Sequence, residues 1–206
     1  MRTRKFLSSD HGGTGAEFAL LLPLIILFLF GIIDAGRYAW EFNKAEKATQ
    51  RGARWAIVTD LVASDLASYS FAVEAGIAQG TVVERTHFDG IVCESASGAV
   101  SCDCPTGAPC DFGTTADADA FADIVSRMQT VKSDIAAENV VVEYQWSGLG
   151  FSGDPNGPDV SPLVNVRLRD MDFNPITFAL FGGSIPLPDA SYSLTLEDGV
   201  GDESDG

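Results

Sequence analysis

The residues whose type and spacing suit chemistry begin close to the N-terminus. Gly12-Gly13-Thr14-Gly15-Ala16-Glu17-Phe18 puts a carboxylate at the head of an apolar run that stays uncharged through Ile33. Glycine lets a peptidase approach the backbone with no Cβ in the way, so Gly12–Gly13 is a candidate processing site. Cleavage there would give Gly13 a free amine and make Glu17 the fifth residue of the shortened chain, with Phe18 the sixth. A carboxylate at the edge of a membrane segment is costly unless it is partnered. In low dielectric the ammonium of a neighbouring subunit is such a partner, and the pairing would set the register of stacked helices. The alternatives are a Glu17 that snorkels to the headgroups and glycines that form only a juxtamembrane linker.

Cys93, Cys102, Cys104 and Cys110 form the second set, within a stretch rich in Gly, Ser, Pro and Ala that reads as a loop. In an exported domain an even cysteine number implies disulfides. Bridging Cys102 to Cys104 would close a very tight ring. That leaves Cys93–Cys102 with Cys104–Cys110, or Cys93–Cys104 with Cys102–Cys110. The spacing lacks the paired C-x-x-C knuckles of a zinc site, and nothing basic flanks the thiols to activate them. The acids of Asp154-Pro-Asn-Gly-Pro-Asp159 miss the EF-hand spacing and read as a solvated turn. No metal or other cofactor is therefore expected. His87, beside Phe88 and Asp89, is the single histidine beyond the first twelve residues and reads as a surface residue.

The elements that must position these groups start with the apolar run itself. As a helix, Phe18–Ile33 covers roughly 25 Å, and Ala16, Ala35 and Gly36 bring it to the lower end of a spanning length. Arg2, Arg4 and Lys5 against Asp10 give the leader, residues 1–12, a balance of +2; the whole chain carries −16, so the remainder carries −18. A basic end before an apolar run predicts a cytoplasmic N-terminus and an exported remainder. Ile33-Asp34-Ala35-Gly36-Arg37 is a poor leader-peptidase site, so an uncut anchor or a cut on the cytoplasmic side is expected instead.

Beyond the 13–36 span, residues 37–60 continue as an amphipathic stalk. Tyr38, Phe42, Ala45, Thr49, Gly52 and Ala56 recur along one face, with Lys44, Lys47, Arg51 and Arg54 mainly off it. Tyr38 and Trp40 suit the outer membrane interface. Residues 61–196 read as a small exported domain that includes the cysteine loop 93–110. A helix is predicted in the first part of 61–90, a strand near Thr81–Thr86, and a helix from Thr115 to Asn139. That last helix is capped by Thr115 or Asp117 and buries Phe121, Ile124, Val125, Met128, Val131 and Ile135. Strands are predicted at Val140–Trp146, Leu163–Arg169, Ile176–Phe181 and Ala190–Leu196. An acidic tail, 197–206, closes the chain. The fold class is thus α+β: a long transmembrane and stalk helix, then a helix packed on an antiparallel sheet.

The processing pattern resembles that of type IV prepilins, and more closely the Flp version with an aromatic after the glutamate. The wider run Ala16-Glu-Phe-Ala-Leu-Leu-Leu-Pro-Leu-Ile-Ile-Leu-Phe-Leu-Phe-Gly-Ile-Ile-Asp-Ala-Gly-Arg37 is similar to the opening of TadE-like proteins, minor pseudopilins of the tight-adherence (Flp) pilus apparatus. The close resemblance covers roughly residues 12–60. It implies cleavage after Gly12 by a prepilin peptidase and a register role for Glu17 and Phe18. It also implies partners among other pilin subunits and the inner-membrane assembly platform. The implied place is a single pass through the bacterial inner membrane with a periplasmic domain, or incorporation in the filament.

The net charge of −16 argues against nucleic-acid binding, which asks for a concentrated basic face. There is no Gly-x-Ser-x-Gly elbow, phosphate loop or His-Glu-x-x-His, and 29 acids make carboxylate pairs uninformative. No catalytic residue is assigned. The other reading from a different class is an uncleaved, membrane-anchored periplasmic binding or sensory domain, whose helix is only a tether.

Overall fold

The computed structural model describes residues 13–155, 157–180 and 182–196. The acidic tail and Gly12 lie outside them. Helix α1 runs unbroken from Gly13 to Ala56, 44 residues or about 66 Å at 1.5 Å per residue. Pro23 lies inside it, where it removes one backbone donor, as membrane helices tolerate. From Glu17 to Ile33 every residue is exposed, Leu20 at 81% and Phe28 at 69%. A helix that is apolar on all sides and covered on none has the surface of a membrane span. It is the one described helix long and apolar enough to cross a bilayer.

The chain forms two compact units. One contains α1 as far as Glu41 together with Asp172–Ile185; the other contains Phe42–Met171 and the chain from Pro186. Two short strands, β5 (Asp172–Phe173) and β6 (Ile185–Pro186), pair with each other, and the first unit also holds a 3-10 turn at Thr177–Leu180.

The second unit is α+β, as the sequence predicts. Its elements are the end of α1, a five-residue α2 (Ser64–Ser68), strands β1 (Gly90–Ala96) and β2 (Ala99–Asp103), helix α3 (Ala118–Gln129), then β3 (Val140–Gln145), β4 (Leu163–Leu168) and β7 (Ala190–Thr195). The sheet order is β2-β1-β3-β4-β7, and every neighbouring pair is antiparallel. Val164, Val166 and Leu168 of β4 are buried in the alternation of a sheet with one face on a core, while in β3 Val140, Val141, Val142 and Tyr144 are all buried.

Helix α3 begins where the sequence places its cap: Asp117 Oδ1 accepts from the backbone N–H of Asp119 and of Ala120, each at 2.9 Å. Phe121, Ile124, Val125 and Met128 are its buried stripe. The helix stops at Gln129, ten residues short of the predicted Asn139. Val131 and Lys132 both donate to Met128 O, and Thr130 Oγ1 turns back to Arg127 O at 2.6 Å. β-Branched Thr130 and Val131 and the turn formers Ser133 and Asp134 favour that ending. Ile135 is still buried, but from the turn beyond the helix.

Other expectations are corrected. The predicted strand at Thr81–Thr86 is irregular chain that leads into a turn at 85–87. Gly80 at φ +80° turns the chain ahead of it, and Glu84 O accepts the N–H of both His87 and Phe88. The helix expected early in 61–90 is only α2. The predicted strand at Ile176–Phe181 is instead the turn Thr177–Leu180, with Phe181 outside the described residues. The first half of the cysteine stretch is not a loop. It is the β1–β2 hairpin, closed by Ser97 at φ +53° and Gly98 at φ +81°. Two successive positive φ angles make a type I′ connection, whose twist matches paired strands.

Candidate functional site

Glu17 and Phe18 lie one turn into α1, both exposed, Phe18 at 60%. Among the described residues no ion pair reaches Glu17. Gly13 opens the same helix, so the candidate amine and the candidate carboxylate stand on one rod, four residues apart. A carboxylate in that position is available to a group from another chain.

The other acid of the apolar run, Asp34, is in the opposite condition, only 7% exposed. Its Oδ1 accepts the backbone N–H of Ile176 at 2.8 Å and Arg37 Nη1 at 3.0 Å. Its Oδ2 accepts both the N–H and the hydroxyl of Thr177, each at 2.8 Å. Arg37 also donates to Asn174 O at 3.4 Å and lies 5.1 Å from the centre of the Phe173 ring. Tyr38 meets Phe173 edge-on at 5.6 Å. Four donors saturate one carboxylate, and removing it would leave two backbone N–H groups of the 3-10 turn without an acceptor. Asp34 therefore holds the 172–185 segment to α1. In the sequence it reads merely as the end of the apolar run. The signal that could have found it is an Asp directly after that run with Arg three positions on.

Of the two cysteine pairings that spacing leaves open, the structure holds Cys93–Cys102 and Cys104–Cys110. Cys93 and Cys102 are directly opposite one another in the β1–β2 register and are both buried. Cys104–Cys110 closes a short loop of sequence separation 6 beyond the hairpin. No described cysteine is free.

The stalk face points into its own domain. Ala45, Ala48, Thr49, Gly52, Ala53 and Ala56 are all buried. At Gly52 the approach is so close that a Cβ would stand 2.8 Å from Met128 Cγ and 3.3 Å from Val166 Cγ1. The Arg127 guanidinium stacks on Trp55 at 3.7 Å and extends the seam between α1 and α3. His87 is exposed, as expected of a surface residue. Asp159 is buried rather than solvated. It accepts the N–H of Phe71 at 2.7 Å and of Asp154 at 3.1 Å, which ties the 154–159 turn to the domain.

No curated protein and no solved structure matches the chain. A family model does match, and it covers nearly all of α1 together with the Gly12 junction, the Glu17 position and the Asp34–Arg37 pair. Over residues 12–54, the chain is similar to the TadE-like protein family.

Proposed function

We propose that the chain is a minor pilin or pseudopilin of a Tad (Flp) pilus and acts by packing helices rather than by catalysis. Residues 1–12 are a basic cytoplasmic leader removed after Gly12 by a prepilin peptidase. Residues 13–36 span the inner membrane once and 37–60 form the stalk. Residues 61–196 stand in the periplasm, followed by the acidic tail. Glu17 pairs with the Gly13 amine of a neighbouring pilin subunit and fixes the axial register, with Phe18 beside it against that subunit's helix. The inner-membrane assembly platform receives the protein in this form.

The observation that carries the reading is the TadE-like match on a helix that is lipid-like on every side and headed by a carboxylate with no ion pair among the described residues. Glu17→Ala removes the counter-charge without adding any polar group to the span. The variant is expected to insert in the membrane normally and to lose most piliation. Normal piliation in that strain would contradict the register role.

One observation favours the second reading, an uncleaved anchor for a periplasmic binding or sensory domain. The stalk face is used up by its own domain at Gly52, so α1 beyond Phe42 needs no second subunit to bury its stripe. On that reading Glu17 faces headgroups and its replacement leaves any assembly untouched.

A further inference from the structure

From Phe173 to Pro188 the chain carries no charge: Phe-Asn-Pro-Ile-Thr-Phe-Ala-Leu-Phe-Gly-Gly-Ser-Ile-Pro-Leu-Pro, a stretch as long as Phe18–Ile33. Its path along α1 can be read from its anchors. Phe173 is buried at the level of Arg37 and Tyr38. Three residues later, the N–H groups of Ile176 and Thr177 reach Asp34. Three to four helical residues separate those levels, about 5 Å along the axis. The segment thus runs toward the N-terminal, apolar part of α1, and the turn Thr177–Leu180 starts at Asp34, next in the helix to exposed Ile32 and Ile33.

Three large apolar side chains of the segment stay partly open. Ile176, Phe178 and Ile185 remain 41%, 39% and 37% exposed. Four backbone donors of the segment are nonetheless satisfied. Ile176 and Thr177 donate to Asp34, Phe178 donates to Pro175 O at 3.2 Å, and Gly182 donates to Phe178 O. Irregular backbone tolerates hydrocarbon only when its polar groups are paired in this way. Exposed apolar side chains continuous with a lipid-facing helix match acyl chains and gain nothing from water.

We propose that Ile176, Phe178 and Ile185 form a second membrane-contacting patch, lowered into the boundary of the leaflet at the Asp34 end of α1. Asp34 is its clamp and lipid is its occupant. The inference rests on α1 spanning the bilayer.

The test uses the full chain reconstituted at low density in phosphatidylcholine vesicles, with a nitroxide attached through Phe178→Cys and no reductant, so that both disulfides stay closed. Leu24→Cys marks the middle of the span, and Val73→Cys, at a site 77% exposed, marks the water-facing domain. The label at 178 is expected to lose collisions with a water-soluble nickel chelate and gain them with oxygen, as at 24 and opposite to 73. Adding Asp34→Ala should return the 178 label to the pattern of 73 while 24 stays protected.

A label at 178 that matches 73 while 24 stays in lipid overturns this proposal alone. A water-accessible label at 24 overturns the spanning reading and this proposal with it. Protection at 178 that vanishes on dilution with lipid also overturns it, by making a second copy of the chain the occupant.

Discussion

Tyr144 shows what one buried polar atom does for this molecule. Its ring is fully buried on β3, and its Oη accepts the backbone N–H of Val62 at 2.9 Å. Burial pushes the phenol well above its ordinary value, against a smaller opposing effect of the Val62 hydrogen bond. An acid whose folded pKa is raised deprotonates first in the unfolded chain, near pH 10. Its contribution to stability is therefore complete below about pH 10 and is lost as pH rises further. Thermal unfolding followed from pH 8 to 11 should show Tm falling above about 10. Tyr144→Phe should flatten that part of the profile and cost about 1–2 kcal/mol at neutral pH, because the Val62 N–H loses its acceptor. An unchanged alkaline slope in the variant would assign the loss to other groups.

Among the elements, α1 is the one on which both units are built, and its two halves were legible to different degrees. The apolar half and the small-residue stripe of the stalk follow from composition and period alone. Ala45, Thr49, Gly52 and Ala56 are all buried as their spacing requires. Gly52 is the tightest point, so Gly52→Leu should destabilise the domain by about 1–3 kcal/mol, read as a lowered Tm of the full chain in detergent. An unaltered Tm would mean that the α1–α3 seam opens without cost.

The start and buried stripe of helix α3 were equally legible, since Asp117 and Phe121–Ile124–Val125–Met128 are local signals, but its end at Gln129 was not. The hairpin was not, because Gly, Ser and Pro around the cysteines resemble loop composition. There the strands owe their pairing to Cys93–Cys102 and to β3 on the other side. The Ser97-Gly98 dipeptide was the available clue. At Ile176–Phe181 the apolar, β-prone residues misled for a different reason. The backbone donors of Ile176 and Thr177 are taken by Asp34, about 140 positions earlier, and no window of sequence contains both partners.

For the whole protein, the decisive question is whether Gly12–Gly13 is cut. A +2 leader followed by a remainder at −18 supports the proposed orientation, and the exposed apolar helix fits a single-pass anchor, but both hold equally for a tethered domain. Only a new amine at Gly13 gives Glu17 a counter-charge of the proposed kind and makes α1 an assembly element instead of a tether. The most direct measurement is the intact mass of the protein purified from its native membrane, with and without an active prepilin peptidase. The account predicts a chain that begins at Gly13 and lacks residues 1–12 when the peptidase is active, and the full chain when it is not. A protein that keeps the leader in both strains, or that is cut near Gly36, would contradict it.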